Sequence, residues 1–135
     1  MTITDELRLR REAVVREHME SENTQDFDAT IGTFDHPHYE LVPTGDVYDG
    51  EAVVREYYRI SRASTPDQRN ELIALHTSDE SVIVEFWLRG TPANTPTGRG
   101  FECRMIAIFG FEGERIVTER VYWDRQTIAA QLRGK

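Results

Sequence analysis

Two long runs of β-type residues, 101–111 and 115–123, meet at the tight connection Glu112-Gly113-Glu114. A hairpin with arms of that length is not stable alone and needs a broad surface to pack against. Much of the chain before it has helical patterning, so the surface must come from helices. The arrangement this predicts is a curved sheet wrapped around helices, a shape that tends to enclose a small-molecule pocket.

The upstream pattern fills in the rest. Thr4-Asp5 opens a helix in which Leu7, Val14, Val15 and Met19 fall near helical spacing, and Asp5 and Glu6 suit its positive end. A short second helix over about 26–33 carries Phe27, Ile31 and Phe34 inward. Pro37 ends the helical stretch, residues 38–43 read as a strand, and 44–50 are turn-rich with room for one more short strand. Residues 51–63 form a third helix with Val54, Tyr57 and Tyr58 on one side. Strands follow at 70–77 and 81–90, then a polar loop with two prolines over 91–98, the hairpin, and a closing helix over 125–133. Helices first and a run of antiparallel strands later define a single α+β domain over residues 1–135, with the helices on one face of the sheet.

Composition excludes several functions. A net charge of -8 does not suit a nucleic-acid groove or a polybasic membrane patch. The single Cys103 cannot form an internal disulfide. The four histidines have no metal-ligand spacing, and no GxGxxG, P-loop, HExxH or GxSxG string occurs. The expectation is therefore a protein without metal or cofactor. Charge begins at residue 5 and no apolar run approaches a membrane span, so a cytoplasmic location is the default.

Several strings resemble the nuclear transport factor 2-like superfamily, and within it the SnoaL-like branch of polyketide cyclases and relatives of limonene epoxide hydrolase and ketosteroid isomerase. They are Phe34-Asp35-His36-Pro37-His38-Tyr39, Gly50 followed by EAVVREYY, the stretch 98–101, the hairpin string FxFxGxRI and the ending YWDRQTIAAQLRG. The resemblance implies a cone-shaped curved antiparallel sheet closed by three helices, with a short C-terminal helix and a pocket between sheet and helices. It also implies a homodimer through the sheet face and a small, largely apolar ligand, aromatic or polyketide-like. Any catalysis would be cofactor-independent acid/base chemistry: cyclisation, isomerisation, dehydration or hydrolysis. The position of the family's acid/base Asp, however, is held by Val121, which cannot transfer a proton. That substitution keeps a non-catalytic binding or assembly module open as the alternative.

Four residues are candidates for chemistry. Glu119 shares side-chain parity with Val121 and Trp123. It is either a general acid or base with a pKa raised by apolar surroundings, or a rim glutamate paired with an arginine. Tyr39 is either a hydrogen-bond donor to a substrate oxygen or a core aromatic. His36 is either a proton shuttle or a histidine bonded to backbone at a corner. Asp124 is either a carboxylate at the pocket mouth or the N-cap of the last helix. Leu41, His76, Trp87, Cys103, Met105, Val121 and Trp123 are the candidate ligand-lining residues. The mixed face of the strand over 81–90, Ser81, Ile83, Glu85, Trp87 and Arg89, fits either a pocket wall or a solvated rim.

Overall fold

The structure, a computed structural model, describes residues 2–133. The chain runs α1 (Asp5–Thr24), α2 (Phe27–Gly32), β1 (His38–Leu41), β2 (Asp46–Asp49), α3 (Glu51–Ser64), β3 (Arg69–Thr77), β4 (Ser81–Gly90), β5 (Phe101–Glu112), β6 (Arg115–Tyr122) and α4 (Arg125–Leu132). The six strands form one sheet in the order β2-β1-β6-β5-β4-β3. Every pairing is antiparallel except β1 with β6, which is parallel. The open, curved sheet carries its helices on the concave side, the α+β cone expected from the residue pattern.

Local chemistry sets the element ends. The Thr4 hydroxyl accepts the Leu7 N–H at 3.1 Å and caps α1. The β5–β6 turn needs a glycine, since Gly113 has φ +57. Arg11 reaches from α1 to the Gly113 carbonyl (2.8 Å) and the Asp79 carbonyl (2.9 Å). One buried guanidinium thereby ties the first helix to two turns of the sheet.

The core lies between the concave face and the helices. Val82 and Val84 of β4, Cys103, Met105, Ala107 and Phe109 of β5, and Ile116 and Val121 of β6 are buried against Val15 and Met19 of α1 and Val54 and Tyr58 of α3. No helix among the described residues is long and apolar enough to cross a membrane.

A bulge in β3 corrects one expectation about parity. Leu72 pairs with Phe86, but the next register position joins Ala74 to Glu85, so Ile73 is an extra residue and every later side chain switches face. Leu75 and Thr77 point with Val84 and Val82 towards the core, while His76 pairs with Ile83 and is exposed. Removing the Phe109 ring, which has no exposed surface, should cost about 3–5 kcal/mol. Urea denaturation of Phe109→Ala should show this as a lower midpoint at unchanged m; a loss below about 1 kcal/mol would contradict this account of the core.

Candidate active site

A cavity of about 210 Å³ lies between the concave sheet and the helices. Its walls are mostly apolar: Met19, Leu41, Phe86, Leu88, Met105, Val121, Trp123 and Ile128. The polar groups facing it are Glu22, Glu119, Tyr39, Tyr57, Gln68 and Asn70. Strand alternation explains this lining. Glu119 and Val121 share a face of β6, Tyr39 and Leu41 sit beside them on β1 in parallel register, and Met105 lies across from Phe86 on β5.

Behind the carboxyl groups lies His18, which has no exposed surface. It stands on the inward stripe of α1 formed by Arg11, Val15, His18 and Glu22, spaced four, three and four residues apart. The edges of Phe34 and Phe109 meet its ring at centroid distances of 5.4 and 5.1 Å. Nε2 lies 3.0 Å from Glu22 Oε2, 3.0 Å from Glu119 Oε1 and 2.9 Å from the Tyr39 hydroxyl. Nδ1 lies 2.9 Å from Thr33 Oγ1.

Counting hydroxyl protons assigns the state of this ring. Thr33 donates its one hydroxyl proton to the Thr30 carbonyl at 2.6 Å. Its oxygen can therefore only accept from His18, so Nδ1 carries a proton. Tyr39 donates to Glu22 Oε2 at 3.2 Å and accepts from the Tyr58 hydroxyl at 2.7 Å. Its contact with Nε2 therefore also requires a proton on the ring. Both nitrogens are donors, and His18 is an imidazolium.

The electrostatics agree. Burial alone would depress the His18 pKa, but the nearby carboxyl groups of Glu119 and Glu22 overcome it and raise the value to about 9. Burial pushes Glu119 the other way, above the ordinary carboxylate range despite His18. Burial would raise Glu22 as well, but His18, Arg62 and the Tyr39 hydroxyl bring it below its ordinary value. Arg62 is itself buried and reaches Glu22 Oε1 at 3.2 Å. The burial-raised pKa values of Tyr39 and Tyr58 keep both hydroxyls neutral as donors.

The two carboxyl groups are thus not equivalent. Glu22 is held as a carboxylate by partners on both oxygens. Glu119 Oε1 is buried and close to His18 Nε2, yet has no aligned hydrogen-bond donor. Burial disfavours its charged form, so Glu119 is the readier of the two carboxyl groups to take a proton. The donor atoms of His18, Glu22 and Glu119 lie within 4.8 Å of one another, a spacing that could converge on one cation. In the protonation state assigned above, the ring nitrogen facing that space carries a proton, and this proton provides the positive charge between the carboxyl groups.

Of the residues singled out from sequence, Tyr39, Glu119, Leu41, Met105, Val121 and Trp123 line the cavity. Five others lie outside it. His36 is largely exposed and shares Asp49 Oδ1 with His38, at 3.2 and 2.8 Å, because β2 brings Asp49 alongside that corner. Asp124 caps α4, accepting from Gln126 N at 2.9 Å and Thr127 Oγ1 at 3.0 Å. Trp87 faces away from the cavity, with the guanidinium carbons of Arg89 and Arg104 at 5.4 and 5.5 Å from its ring centre. The mixed face of β4 is therefore the outer face, and its apolar face forms the wall. His76 is turned outward by the β3 bulge, 3.6 Å from Glu85. Cys103 shares the inward parity but is buried in the core beyond the cavity walls.

His18 and Glu22 escaped as site residues because a search for apolar periodicity skips polar residues. The signal was the 4-3-4 spacing of Arg11, Val15, His18 and Glu22, which puts three ionisable groups on the face of α1 that must be buried.

The geometry is that of a known family. Residues 15–119 match the model of the SnoaL-like domain. No curated protein matches the chain. Among solved structures, the chain is similar to SalBIII, an epoxide hydrolase/cyclase-like enzyme of pyran ring formation in the polyether salinomycin. That match has 25% identity and a TM-score of 0.79, over 93% of this chain and 97% of that one. IdmH of Streptomyces antibioticus, a candidate polyketide cyclase, shares 21% identity at a TM-score of 0.80, over 90% and 97% of the two chains. A candidate SnoaL-like polyketide cyclase of Shewanella denitrificans has 10% identity and a TM-score of 0.81, over 93% and 98%.

The charge cluster predicts a pH dependence of stability. The folded-state pKa of His18, about 9, lies above its ordinary 6.5. Its stabilisation is complete below pH 6.5 and is lost as the pH rises towards 9; the raised Glu119 value acts with the same sign at lower pH. Unfolding free energy should fall by on the order of 3 kcal/mol between pH 6.5 and 9. Chemical denaturation across that range should show the slope in the wild type and lose it in His18→Gln. A flat wild-type profile would contradict the assignment.

Proposed function

Because the chain belongs to the SnoaL-like domain family, we propose that its cone binds a small, largely apolar metabolite and performs acid/base chemistry on it, with Glu119 as the proton-transferring group. The observation that carries this reading is the Glu119 side chain, buried, with its pKa raised by burial, in the wall of a mostly apolar cavity. The family's aspartate position is Val121, which also lines the cavity. Glu119 lies two residues earlier on the same face of β6, one pleat or roughly 7 Å away. The acid/base carboxyl group is moved along the strand rather than lost.

In this reading the ionised Glu119 accepts a proton from a substrate O–H or C–H as the new bond forms, then returns it to the oxygen or carbon that gains electrons. Glu22, kept ionised by His18 and Arg62, does not compete for that proton. Tyr39 borders the reacting group as a neutral hydroxyl. His18 holds positive charge behind both carboxyl groups, so Glu119 can ionise without leaving two unbalanced buried charges. A reaction run by one shuttling carboxyl group suits ring closure or isomerisation, and the likeness to SalBIII favours cyclisation.

A second reading is a ligand-binding module without turnover, and Val121 favours it. The convex sheet face, where Ile106 and Tyr122 are 41% and 40% exposed, is the proposed contact with a second copy. Light scattering should then report a dimer for the wild type and a monomer for Ile106→Glu.

The test of function is turnover of a panel of compact hydroxy-epoxides and hydroxy-enones, with and without an amino group, assayed for cyclic products. Glu119→Gln should lower kcat/KM by roughly 100-fold or more. The wild-type acid limb should lie above pH 4.5, since Glu119 must ionise and its pKa is raised from that value. Unchanged turnover in Glu119→Gln would overturn the reading. Binding without turnover across the panel would establish the second one.

A further inference from the structure

The charges around the cavity are sorted by position. Two carboxyl groups, those of Glu22 and Glu119, face it, and no Lys, Arg or His side chain lines it among the described residues. The cations that balance them, His18 and Arg62, are buried and do not face the cavity. A ligand in the cone meets the negative ends of these pairs. It also meets the rings of Tyr39, Tyr57 and Trp123, whose faces attract cations. The Glu119 side chain, which lines the cavity, is only 5% exposed.

We infer that the cone selects a compact apolar amine in its ammonium form, whose N–H donates to the Glu119 carboxyl group beside Glu22 while its apolar body lies against Leu41, Met105 and Val121. This inference rests on the reading of Glu119 as the group that meets the ligand, and it names the class of molecule. Two demands converge on an ammonium group. It supplies positive charge where the lining has none, and it is the kind of group aromatic rings accept. An anionic ligand fails both, since its carboxylate would face two carboxyl groups in a poorly solvated site. The cavity volume of about 210 Å³ falls below the ~300–1,000 Å³ of drug-sized sites, which restricts the body to one or two rings.

The test is calorimetric titration of the whole protein with three molecules of one shape: 2-phenylethylamine, 2-phenylethanol and phenylacetate. Salt at about 0.15 M screens the general attraction of the protein's net charge for cations. The amine should bind at least tenfold more tightly than the alcohol, and phenylacetate more weakly than either. NMR cross-peaks from the amine to Leu41, Met105 and Val121 should place it in the cone. Glu119→Gln should erase the preference for amine over alcohol. Trp123→Leu, which leaves the carboxyl groups intact, should narrow it about fivefold. Phenylacetate binding as tightly as the amine would overturn the inference, as would no binding of the amine or a preference untouched by both substitutions. Those results leave the proton-transfer reading standing if Glu119→Gln still abolishes turnover. Loss of that reading, in turn, shows in turnover and not in these titrations.

Discussion

The imidazolium of His18 between Glu22 and Glu119 is the interaction on which the interior of this protein depends. Two carboxyl groups cannot be buried side by side without positive charge. In the interior the desolvation of each ion costs several kcal/mol and is offset only by close, well-oriented partners. His18 is close to both carboxyl groups through one ring nitrogen and is held at the other by Thr33. Thr33 can hold it only because its own proton is committed to the Thr30 carbonyl. A short helix of six residues, α2, therefore does more than cover the sheet, since its last turn fixes which nitrogens of His18 are protonated.

That arrangement gives the two carboxyl groups different work. Glu22 has Arg62 and Tyr39 as further partners and is held ionised. Glu119 has His18 as its one charged partner against the nearby Glu22, and burial raises its pKa. Pushing the pKa values of neighbouring groups apart is how a site assigns the roles of fixed charge and mobile proton. The curved sheet supplies the setting. β6 carries Glu119 and Val121 on one face, β1 places Tyr39 and Leu41 beside them, and β4 and β5 close the wall with Phe86, Leu88 and Met105.

Much of this was legible in the sequence where one physical rule acts alone. The hairpin, the helix order and the curved sheet packed on helices follow from hydrophobic periodicity and turn chemistry. Glu119 was found because strand alternation puts it on the face of Val121 and Trp123. Reading failed where a second rule intervened. Alternation would turn His76 inward, but the extra residue Ile73 reverses the face of everything after it. Trp87 was a candidate for the cavity wall on a face that also fitted a rim, yet the apolar Val82, Val84 and Phe86 claim the inner face of β4, and Arg89 and Arg104 cover Trp87 outside. His18 was hidden because a buried charged histidine breaks the apolar pattern of α1, and only its partners, from three other elements, make that burial tolerable.

The central claim is the charge on His18, and nitrogen NMR of its ring between pH 5 and 10 tests it most directly. The account predicts both ring nitrogens protonated at pH 7, with one proton lost near pH 9 from Nε2 while Nδ1 stays protonated against Thr33. A neutral ring at pH 7, or loss of the Nδ1 proton first, would contradict it.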